Sequence, residues 1–512
     1  MAATLFVPDD DSPYNAGEAL LEAAAARGSQ RLIRCEGQDV SGAELAALAF
    51  SLQRLLAERG LAPGDRVLLL LRDTPVFHAA FLGALRGGFI PVPISTLLPA
   101  KDVAFIARDA AVRAVFVDTA LPPALSDAAL YPAGAALLRA HAFGVEGAAA
   151  SGAALAPVGT LARDPAFLLY TSGTTGEPKG VVHRHVDLPV TAAAYARDVL
   201  GLGAGDRVLS AAKLFFAYGL GNALTFPLLL GGEIVLCPDR PTPEAMFALL
   251  RSEQPTVFFG VPTLYAAMLA HPELPASLGR VRLCVSAGEA LPAPIFERWR
   301  ARFGVDILDG LGSTEMLHIF VSNRPGHARP GSSGVPVPGY RVRIVDDTGA
   351  DLADGEIGTL VAHGASAARS YHARPDATAQ TMFAPGWLRT GDSYRREADG
   401  SYWHVGRSDD LMKVSGQYVS PVEVESALAG HEAVLEAAVV AETDAEGLTK
   451  PRAFVVLAPG ARPSDALARE LQDFVKAKLA PHKYPRRVEF VDELPKTATG
   501  KIRRHLLRKG TG

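Results

Sequence analysis

The sequence predicts an α/β fold: a large amino-terminal domain of parallel sheets covered by helices, followed by a small carboxy-terminal α+β domain. Two observations carry this prediction. From about residue 15 to residue 400, alanine-rich helical patterns alternate with short apolar strands, a rhythm typical of parallel sheets covered by helices. In addition, a chain of 512 residues exceeds what one hydrophobic core normally supports, so at least two domains are expected.

The elements of the large domain follow this alternation. Helical patterns cover 42–58 and 76–86, and strand patterns cover 66–71 and 89–93. Segment 134–156 is rich in alanine and glycine and weakly patterned, so we expect a mobile surface connection there. Glycine and proline clusters mark the turns of a strand-rich segment, 340–362, which predicts a β-subdomain that closes the large domain.

A second unit follows a polar stretch near 406–410, which suits an exposed linker. We therefore expect a large domain at 1–406, a hinge linker at 407–410 and a small domain at 411–512. Ser420, Pro421 and Glu423 predict a capping box that begins a helix. The remaining α+β pattern consists of strands at 434–441 and 453–457, a helix at 464–479 and a strand at 487–491.

Composition narrows the classes of partner. The formal net charge of −4 gives no global field that would attract nucleic acid or an anionic membrane. The three cysteines, Cys35, Cys237 and Cys284, lie far apart and outside any metal-binding spacing, which fits a reducing cytoplasm. The start of the chain lacks the pattern of a signal peptide, and no apolar stretch approaches the ~20 residues that span a bilayer. We expect a cytoplasmic globular enzyme.

Segment 170–180 predicts a polyphosphate-binding loop. Its glycines bring backbone N–H groups close to phosphate oxygens, and its hydroxyls and one lysine add donors and positive charge. A Walker A loop is excluded, because there the lysine is followed by Ser or Thr, whereas here Gly180 follows Lys179. A flexible surface loop is the alternative, but strand patterns at 167–170 and 181–183 favour anion binding. The candidate ligands are Thr171, Ser172, Gly173, Thr174, Thr175, Gly176 and Lys179.

Two further segments present carboxylates at turns. A glycine-rich turn at 309–312 leads to Thr314 and Glu315, and the Mg²⁺ that accompanies a triphosphate is typically held by one or two carboxylates with phosphate oxygens. Glu315 is therefore the candidate metal ligand; the alternative is a glutamate that caps a helix or faces solvent. At the end of 387–392, Asp392 can accept two hydrogen bonds from a ribose diol, although an isolated Thr-Gly-Asp would indicate a plain turn.

In this order, the phosphate loop, the Glu315 and Asp392 segments, the polar linker and the motif 495–501 (Pro-Lys-Thr-Ala-Thr-Gly-Lys) resemble the adenylate-forming superfamily over nearly the whole chain. That superfamily contains acyl-CoA synthetases, peptide-synthetase adenylation domains and luciferases. The resemblance implies that the loop holds the β- and γ-phosphates of ATP and that Thr314 and Glu315 touch the α-phosphate and the metal. It also implies that Asp392 binds the ribose with Arg407 nearby.

The same resemblance makes Lys501 the catalytic lysine, carried by a small domain that rotates about Asp409 between two half-reactions. Many relatives stack an aromatic residue on adenine where this chain has Leu311. Here we expect the adenine to be held by the apolar face of Leu311 and by Ala287, Gly288 and Glu289, and we expect Asp309 and Gly310 among the ATP-binding residues.

Segments 213–219 and 312–319 resemble, more narrowly, the benzoate-CoA ligase branch. Such pockets are mostly apolar with a few polar groups that orient the ligand. His318 is open to two interpretations, a hydrogen-bonded core imidazole or a group that touches a ring substituent. The residues implied to form a flat slot for one aromatic ring are Phe216, Ala217, Tyr218, Ala287, Gly312, His318 and Ile319.

We therefore expect ATP-dependent ligation of benzoate, or of a hydroxy-, amino- or methyl-substituted benzoate, to coenzyme A through an aryl-adenylate. The expected cofactors are ATP, Mg²⁺ and coenzyme A as co-substrate; neither nucleic acid nor membrane is expected as a partner, and a homodimer remains open. The alternatives are an adenylation enzyme that loads a carrier protein, a ligase for another small carboxylic acid, a fatty-acyl ligase and a nucleotide-binding sensor. Bulky Phe216, Tyr218 and Ile319 argue against a fatty-acyl tunnel, and the presence of Glu315 and Lys501 argues against a sensor.

Overall fold

A computed structural model describes residues 5–148, 154–171, 177–407, 410–414, 417–444, 448–496 and 502–509. Within these ranges the helices are α1 Ala16–Ala25, α2 Gly42–Glu58, α3 Pro75–Arg86, α4 Ala100–Asp109, α5 Asp187–Thr191, α6 Ala217–Leu220, α7 Phe226–Leu230, α8 Pro243–Glu253, α9 Pro262–Leu269, α10 Ala293–Phe303, α11 Pro375–Thr381, α12 Pro421–Ala429, α13 Asp465–Lys478 and α14 Arg504–Lys509. Two π-helical segments, Ala192–Arg197 and Gly221–Thr225, extend α5 and connect α6 to α7, and two 3₁₀ turns occupy Pro123–Ser126 and Ala128–Leu130.

The strands in the described part of the chain are β1 Arg31–Cys35, β2 Gln38–Ser41, β3 Arg66–Leu70, β4 Ile90–Pro93, β5 Ala114–Asp118, β6 Ala136–His141, β7 Gly144–Val145, β8 Pro165–Thr171, β9 Lys179–Arg184, β10 Arg207–Ser210, β11 Glu233–Leu236, β12 Val257–Gly260, β13 Leu283–Ser286, β14 Ile307–Gly312, β15 Ile319–Ser322, β16 Val335–Pro336, β17 Arg341–Val345, β18 Ile357–His363, β19 Trp387–Arg396, β20 Tyr402–Arg407, β21 Met412–Val414, β22 Gln417–Val419, β23 Val434–Thr443, β24 Thr449–Leu457 and β25 Arg487–Phe490.

Two mainly parallel sheets form the centre of the large domain, as the sequence predicts. The larger sheet has the order β16-β15-β14-β13-β12-β10-β11-β1-β2. Within it, the neighbouring strands β14, β13, β12, β10, β11 and β1 are parallel to one another. The second sheet has the order β4-β3-β5-β6-β7, with β4, β3, β5 and β6 parallel. Strands β5, β12 and β13 are buried along their whole length, because helices cover both faces of a parallel sheet. The predicted α/β class is confirmed.

Segment 134–156 differs from the expected connection. Residues 136–145 form β6 and β7, which extend the second sheet beyond β5. Leu138 and Ala140 point into the core, while Arg139 and His141 are exposed. Only two of the side chains of β6 are buried, so its pattern in the sequence is too weak to separate it from a loop.

An antiparallel sheet with the order β17-β18-β19-β20 forms the predicted β-subdomain. Its last two strands pair Asp392 with Arg407, which brings the predicted ribose turn beside the start of the linker. Gly406 and Arg407, expected in the linker, are the final residues of β20. The proposed hinge residue Asp409 lies outside the described residues, and the domain boundary stays a prediction.

The carboxy-terminal domain combines helices α12 and α13 with a sheet of order β23-β24-β25. Helix α12 begins as predicted, with the Ser420 hydroxyl accepting a 3.1 Å hydrogen bond from the Glu423 backbone N–H. The return half of the expected capping box is replaced, because the Glu423 carboxylate pairs with Lys483 at 2.7 Å. The Ser420 hydroxyl also donates to the Val405 carbonyl oxygen of β20, which fastens this helix to the large domain.

Candidate active site

A cavity of about 1000 Å³ lies between the large domain and the carboxy-terminal domain. Its wall includes Lys179, Glu315 and Asp392 from the first domain and Glu423 and Arg504 from the second. Small-molecule sites concentrate in concave regions at domain interfaces. This cavity is therefore the candidate active site.

The β8–β9 hairpin brings both ends of the predicted phosphate loop to the cavity. Thr171, at the end of β8, pairs with Lys179, at the start of β9, and both residues line the cavity. Apolar residues of β8, Phe167 to Leu169, are buried and hold the hairpin in the core. The other predicted loop ligands lie outside the described residues: Ser172, Gly173, Thr174, Thr175 and Gly176.

A tyrosine stands between the two charged groups at this end of the cavity. The Tyr371 hydroxyl donates a 2.7 Å hydrogen bond to Glu315 Oε1, and the Lys179 Nζ atom lies 4.7 Å from the centroid of the Tyr371 ring. Burial is the larger cause, and the neighbouring Glu315 carboxylate the smaller one, that raise the pKa of Tyr371 above its ordinary value. The phenol therefore keeps its proton, and its O–H group donates the hydrogen bond. We call these three residues, Lys179, Glu315 and Tyr371, the phosphate side of the cavity.

Strand β14 and the turn that follows it form the wall next to Glu315. Residues Asp309, Gly310, Leu311, Gly312 and Thr314 all line the cavity. Burial raises the pKa of Asp309 well above its ordinary value. Hydrogen bonds from the Leu291 and Gly310 backbone N–H groups and from the Ser286 hydroxyl have the opposite effect, because they favour the charged form, but burial has the larger effect. A buried carboxyl group in its neutral form can donate a hydrogen bond as well as accept one.

The predicted ribose turn presents an ion pair to the cavity. The Arg407 guanidinium donates to Asp392 Oδ1 at 3.3 Å and to the Thr390 carbonyl oxygen at 3.2 Å, and the Asp392 backbone N–H donates to the Thr390 hydroxyl. Gly391 takes φ +75°, and a side chain there would collide with the Arg407 guanidinium. The tight turn thus holds the Asp392 carboxylate and Arg407 together at the cavity wall.

Glu289 links the two domains across the cavity. Strand β13 ends at Ser286, and Gly288 takes φ +99° in the turn that delivers Glu289. Glu289 Oε1 accepts a 2.9 Å hydrogen bond from the backbone N–H of Ile502 in the carboxy-terminal domain. Ile502 directly follows the predicted catalytic residue Lys501, which itself lies outside the described residues.

Both flanks of the lysine motif are anchored. At the start of the motif, Lys496 pairs with Glu436 at 2.7 Å; after the motif, Arg504 pairs with Glu425 at 2.8 Å. Lys496 and Ile502 also form a β-bridge. These contacts fix the described residues on either side of Lys501 against the carboxy-terminal domain, while Ile502 reaches the large domain.

The residues predicted to form the ring slot, namely Phe216, Ala217, Tyr218, Ala287, Gly312, His318 and Ile319, are close neighbours but do not all reach the cavity. Of these, Phe216 and Gly312 line it. His318 Nε2 lies 3.1 Å from Asn222 Oδ1 and 3.3 Å from the Tyr218 carbonyl oxygen. Both partners are acceptors, which assigns the ring proton to Nε2.

Burial lowers the pKa of His318 to about 3, so this imidazole is neutral at physiological pH. Aromatic rings of Tyr195, Tyr218 and Phe226 surround it, with centroid distances of 5.3, 5.6 and 4.5 Å. A side chain at Gly221 would collide with the His318 ring, so glycine is needed there. The structure thus contains the hydrogen-bonded imidazole that the sequence left as one of two interpretations.

Tyr371 is one of the cavity residues that the sequence analysis missed. It lies in a segment without a glycine-rich or charged motif, and its partner Glu315 is 56 positions away along the chain. Its contacts with Lys179 and Glu315 emerge only from the fold.

The comparisons with known proteins agree with this geometry. Residues 20–372 match the family described as AMP-binding enzyme, and residues 423–501 match the AMP-binding enzyme C-terminal domain. The chain belongs to this family of adenylate-forming enzymes. No helix in the described part of the chain has both the length and the apolarity to cross a bilayer.

Several similar proteins are named as ligases for aromatic acids. The chain is 52% identical to a benzoate–CoA ligase of Thauera aromatica, across 88% of this chain and 86% of that protein. It is 46% identical to a 4-hydroxybenzoate–CoA/benzoate–CoA ligase of Rhodopseudomonas palustris, across 89% and 86%. The crystal structure of a benzoate CoA ligase from Burkholderia xenovorans LB400 superposes with a TM-score of 0.90 at 46% identity, covering 97% of this chain and 100% of that one. The predicted resemblance to the benzoate-CoA ligase branch is confirmed.

Proposed function

We propose that this enzyme joins benzoate, or a benzoate with a hydroxyl, amino or methyl substituent, to coenzyme A in an AMP-forming reaction with ATP. The comparisons confirm the class predicted from the sequence, an aryl-CoA ligase that acts through an adenylate. One observation supports the assignment at the level of residues. A single cavity gathers Lys179, Glu315 and Asp392 with Ile502, which follows the predicted catalytic lysine.

The first half-reaction activates the acid. A carboxylate oxygen of the substrate attacks the α-phosphorus of ATP; this P–O bond forms while the bond from the α-phosphorus to the bridging oxygen breaks, and pyrophosphate leaves with that oxygen. Lys179 and the loop hydroxyls bind the β- and γ-phosphates, and Lys501 balances charge as the two anions approach. The reaction needs no protein nucleophile, since positioning and charge neutralisation carry it.

The second half-reaction transfers the acyl group. The sulfur of coenzyme A attacks the carbonyl carbon of the adenylate, the C–S bond forms, the C–O bond to AMP breaks, and the thiol proton passes to solvent. Lys501 lies beside the α-phosphate in the first step and must be withdrawn for the thiol to approach. Rotation about Asp409 supplies this change.

The nucleotide is bound along the opposite wall. The Asp392 carboxylate accepts hydrogen bonds from the ribose hydroxyls, and Arg407 holds that carboxylate in place. Burial raises the pKa of the Asp309 carboxyl group, and in its protonated form this group would donate toward the adenine ring. The remaining adenine contacts that we assign are Ala287, Gly288, Glu289, Gly310 and Leu311.

Mg²⁺ fits the phosphate side. The Tyr371 hydroxyl donates a hydrogen bond to Oε1 of Glu315, and no described residue donates one to Oε2. Mg²⁺ is commonly bound by one or two carboxylates together with substrate phosphates. We assign Glu315 as the protein ligand with Thr314 beside it; when bound, the ion neutralises charge on the phosphate oxygens.

The test is a coupled measurement of pyrophosphate release and thioester formation with ATP, Mg²⁺ and benzoate. We expect continuous turnover with coenzyme A and formation of benzoyl-CoA by mass spectrometry, with a long-chain fatty acid as the inactive control. A comparison of kcat/KM for substituted benzoates then identifies the preferred ring. Turnover with a phosphopantetheinyl carrier protein but not with coenzyme A would favour the carrier-loading alternative. Absence of pyrophosphate release with every carboxylate would favour a nucleotide sensor.

A further inference from the structure

Residues 368–372 form a strap that joins the metal-binding turn to the strand that carries Lys179. On one side the strap bonds to the backbone of Glu315, and on the other it bonds along β9, where Tyr371 forms a β-bridge with Val181. The three backbone hydrogen bonds are Ala368 N to Glu315 O at 2.8 Å, Val182 N to Ser370 O at 3.1 Å and His372 N to Gly180 O at 2.7 Å. The strap therefore sets the distance between the Glu315 turn and the strand that carries Lys179.

Tyr371 is the strap residue whose side chain enters this gap. Its backbone N–H donates to the Thr378 hydroxyl at 2.9 Å, and its ring packs against Val181 and Ala368. The side chain is buried, with 5% of the residue exposed, so the direction of its hydroxyl is fixed by packing. One face of the ring meets the Lys179 ammonium, and the hydroxyl at the ring's end meets the Glu315 carboxylate.

An ammonium and a carboxylate that flank one ring attract each other, and a direct pair would consume the two charges that a metal–triphosphate complex requires. A tyrosine between the ammonium and the carboxylate interacts with both groups and prevents a direct ion pair. Its π-face attracts the cation, and its hydroxyl forms a charge-assisted hydrogen bond with one carboxylate oxygen. The second carboxylate oxygen is then left for the metal.

We propose that Tyr371 is a positioning residue that keeps Lys179 and Glu315 apart and aims each of them at the nucleotide. This inference rests on the proposed function, in which Lys179 binds phosphate and Glu315 binds Mg²⁺. The two parts of the side chain have separate tasks. The hydroxyl orients Glu315 and so acts on metal-dependent binding, whereas the ring holds Lys179 and prevents a direct ion pair.

Two substitutions separate these tasks. Tyr371→Phe keeps the ring and removes the hydroxyl, so affinity for MgATP should fall about tenfold while affinity for ATP in excess EDTA changes less than twofold. Tyr371→Leu also removes the aromatic face, so affinity for both forms of ATP should fall. Isothermal titration calorimetry on the whole enzyme without the aromatic acid measures binding alone, since no reaction then proceeds.

Tyr131→Phe is the matched control. Tyr131 is a similarly buried tyrosine, 7% exposed, whose hydroxyl donates to the Leu125 carbonyl oxygen and which does not line the cavity. This variant should bind both forms of ATP like the parent enzyme. If Tyr371→Phe weakens both forms equally, or neither, the positioning role is overturned; Tyr371→Phe alone decides the matter if Tyr371→Leu does not fold.

A double-mutant cycle with Glu315→Gln distinguishes failure of this inference from failure of the proposed function. If Glu315→Gln weakens MgATP binding selectively, adding Tyr371→Phe should cause little further loss, because the hydroxyl acts through Glu315. If Glu315→Gln weakens MgATP binding but Tyr371→Phe does not, the inference about Tyr371 is wrong and the metal assignment stands. If Glu315→Gln leaves MgATP binding unchanged, the metal assignment is wrong and the role of Tyr371 falls with it.

Discussion

The phosphate side of the cavity keeps an ammonium and a carboxylate apart with a tyrosine, whereas the ring slot buries a histidine in its neutral form among aromatic rings. On the phosphate side, Lys179 and Glu315 are half-buried and reach the cavity. In the ring slot, His318 is 3% exposed and its pKa is lowered to about 3 by burial. The polar side chains of the phosphate side thus reach the cavity, whereas the imidazole of the ring slot is enclosed and neutral.

This difference matches the two ligands assigned to these regions, the triphosphate of ATP and the aromatic ring of the acid. The triphosphate charge requires neutralisation, so the protein places a lysine and a candidate metal ligand at this end and holds them in position before the nucleotide arrives. An aromatic ring gains most from an apolar surface, and an ionised imidazole beside it would be costly to bury. Substitutions can therefore test each end separately.

The largest effect is expected from removing the charge of Lys501. Lys501→Ala should slow adenylate formation by roughly 10²- to 10³-fold, as loss of a transition-state charge partner typically does. The same variant should still convert a supplied aryl-adenylate to the thioester. Single-turnover assays of each half-reaction measure this, and equal loss in both would contradict a role confined to the first.

Asp409→Pro provides the converse variant, because proline fixes φ near −65° and limits rotation of the small domain. It should form adenylate and stall at thioester synthesis. If both variants lose both steps in proportion, the two-conformation mechanism does not apply to this enzyme.

A smaller effect is expected when Glu315 loses its charge but keeps its shape. Glu315→Gln should raise the Mg²⁺ concentration needed for half-maximal adenylation by about tenfold, because Mg²⁺ binds a neutral amide oxygen more weakly than a carboxylate. Glu356→Gln is the control, since Glu356 is an exposed residue that caps a turn and does not itself line the cavity. An unchanged Mg²⁺ titration in Glu315→Gln would remove this residue from the site.

Enlarging the ring slot residue Ala217 tests the apolar end. Ala217 begins α6 directly after Phe216, which lines the cavity. Ala217→Leu should reduce kcat/KM for para- or meta-substituted benzoates more than for benzoate, through overpacking of roughly 1 to 3 kcal/mol. The measurement is kcat/KM across the substrate panel, and an equal loss for every acid would place Ala217 away from the ring.

The sequence allowed much of this fold to be predicted, because helix and strand periods and the Ser420 cap are local signals. It did not reveal β6 and β7, because β6 pairs with β5, and β7 with β6, only in the folded sheet. The site shows the same division. The Glu315 and Asp392 segments carry recognisable turns, and both reach the cavity. Tyr371 carries no local motif, and the strap that orients it depends on pairing with β9, nearly two hundred positions earlier in the chain.

The smallest effect on catalysis is expected from His318, and it should appear in stability instead. The folded protein holds the pKa of His318 at about 3, below the ordinary value of 6.5 that the unfolded chain has. Above pH 6.5 neither state is protonated and the stability is fully present. As the pH falls below 6.5 the unfolded state takes up the proton first, so stability is lost by up to about 1.4 kcal/mol per pH unit until the folded pKa is reached. His78 and His185, also buried with pKa lowered to about 4, add to this slope.

His318→Gln removes one of these three groups, so urea unfolding at pH 7 and pH 5 should show a smaller loss of stability on acidification than in the parent enzyme. An identical loss in both proteins would mean that His318 is not held neutral, and the contrast between the ring slot and the phosphate side would lose its basis.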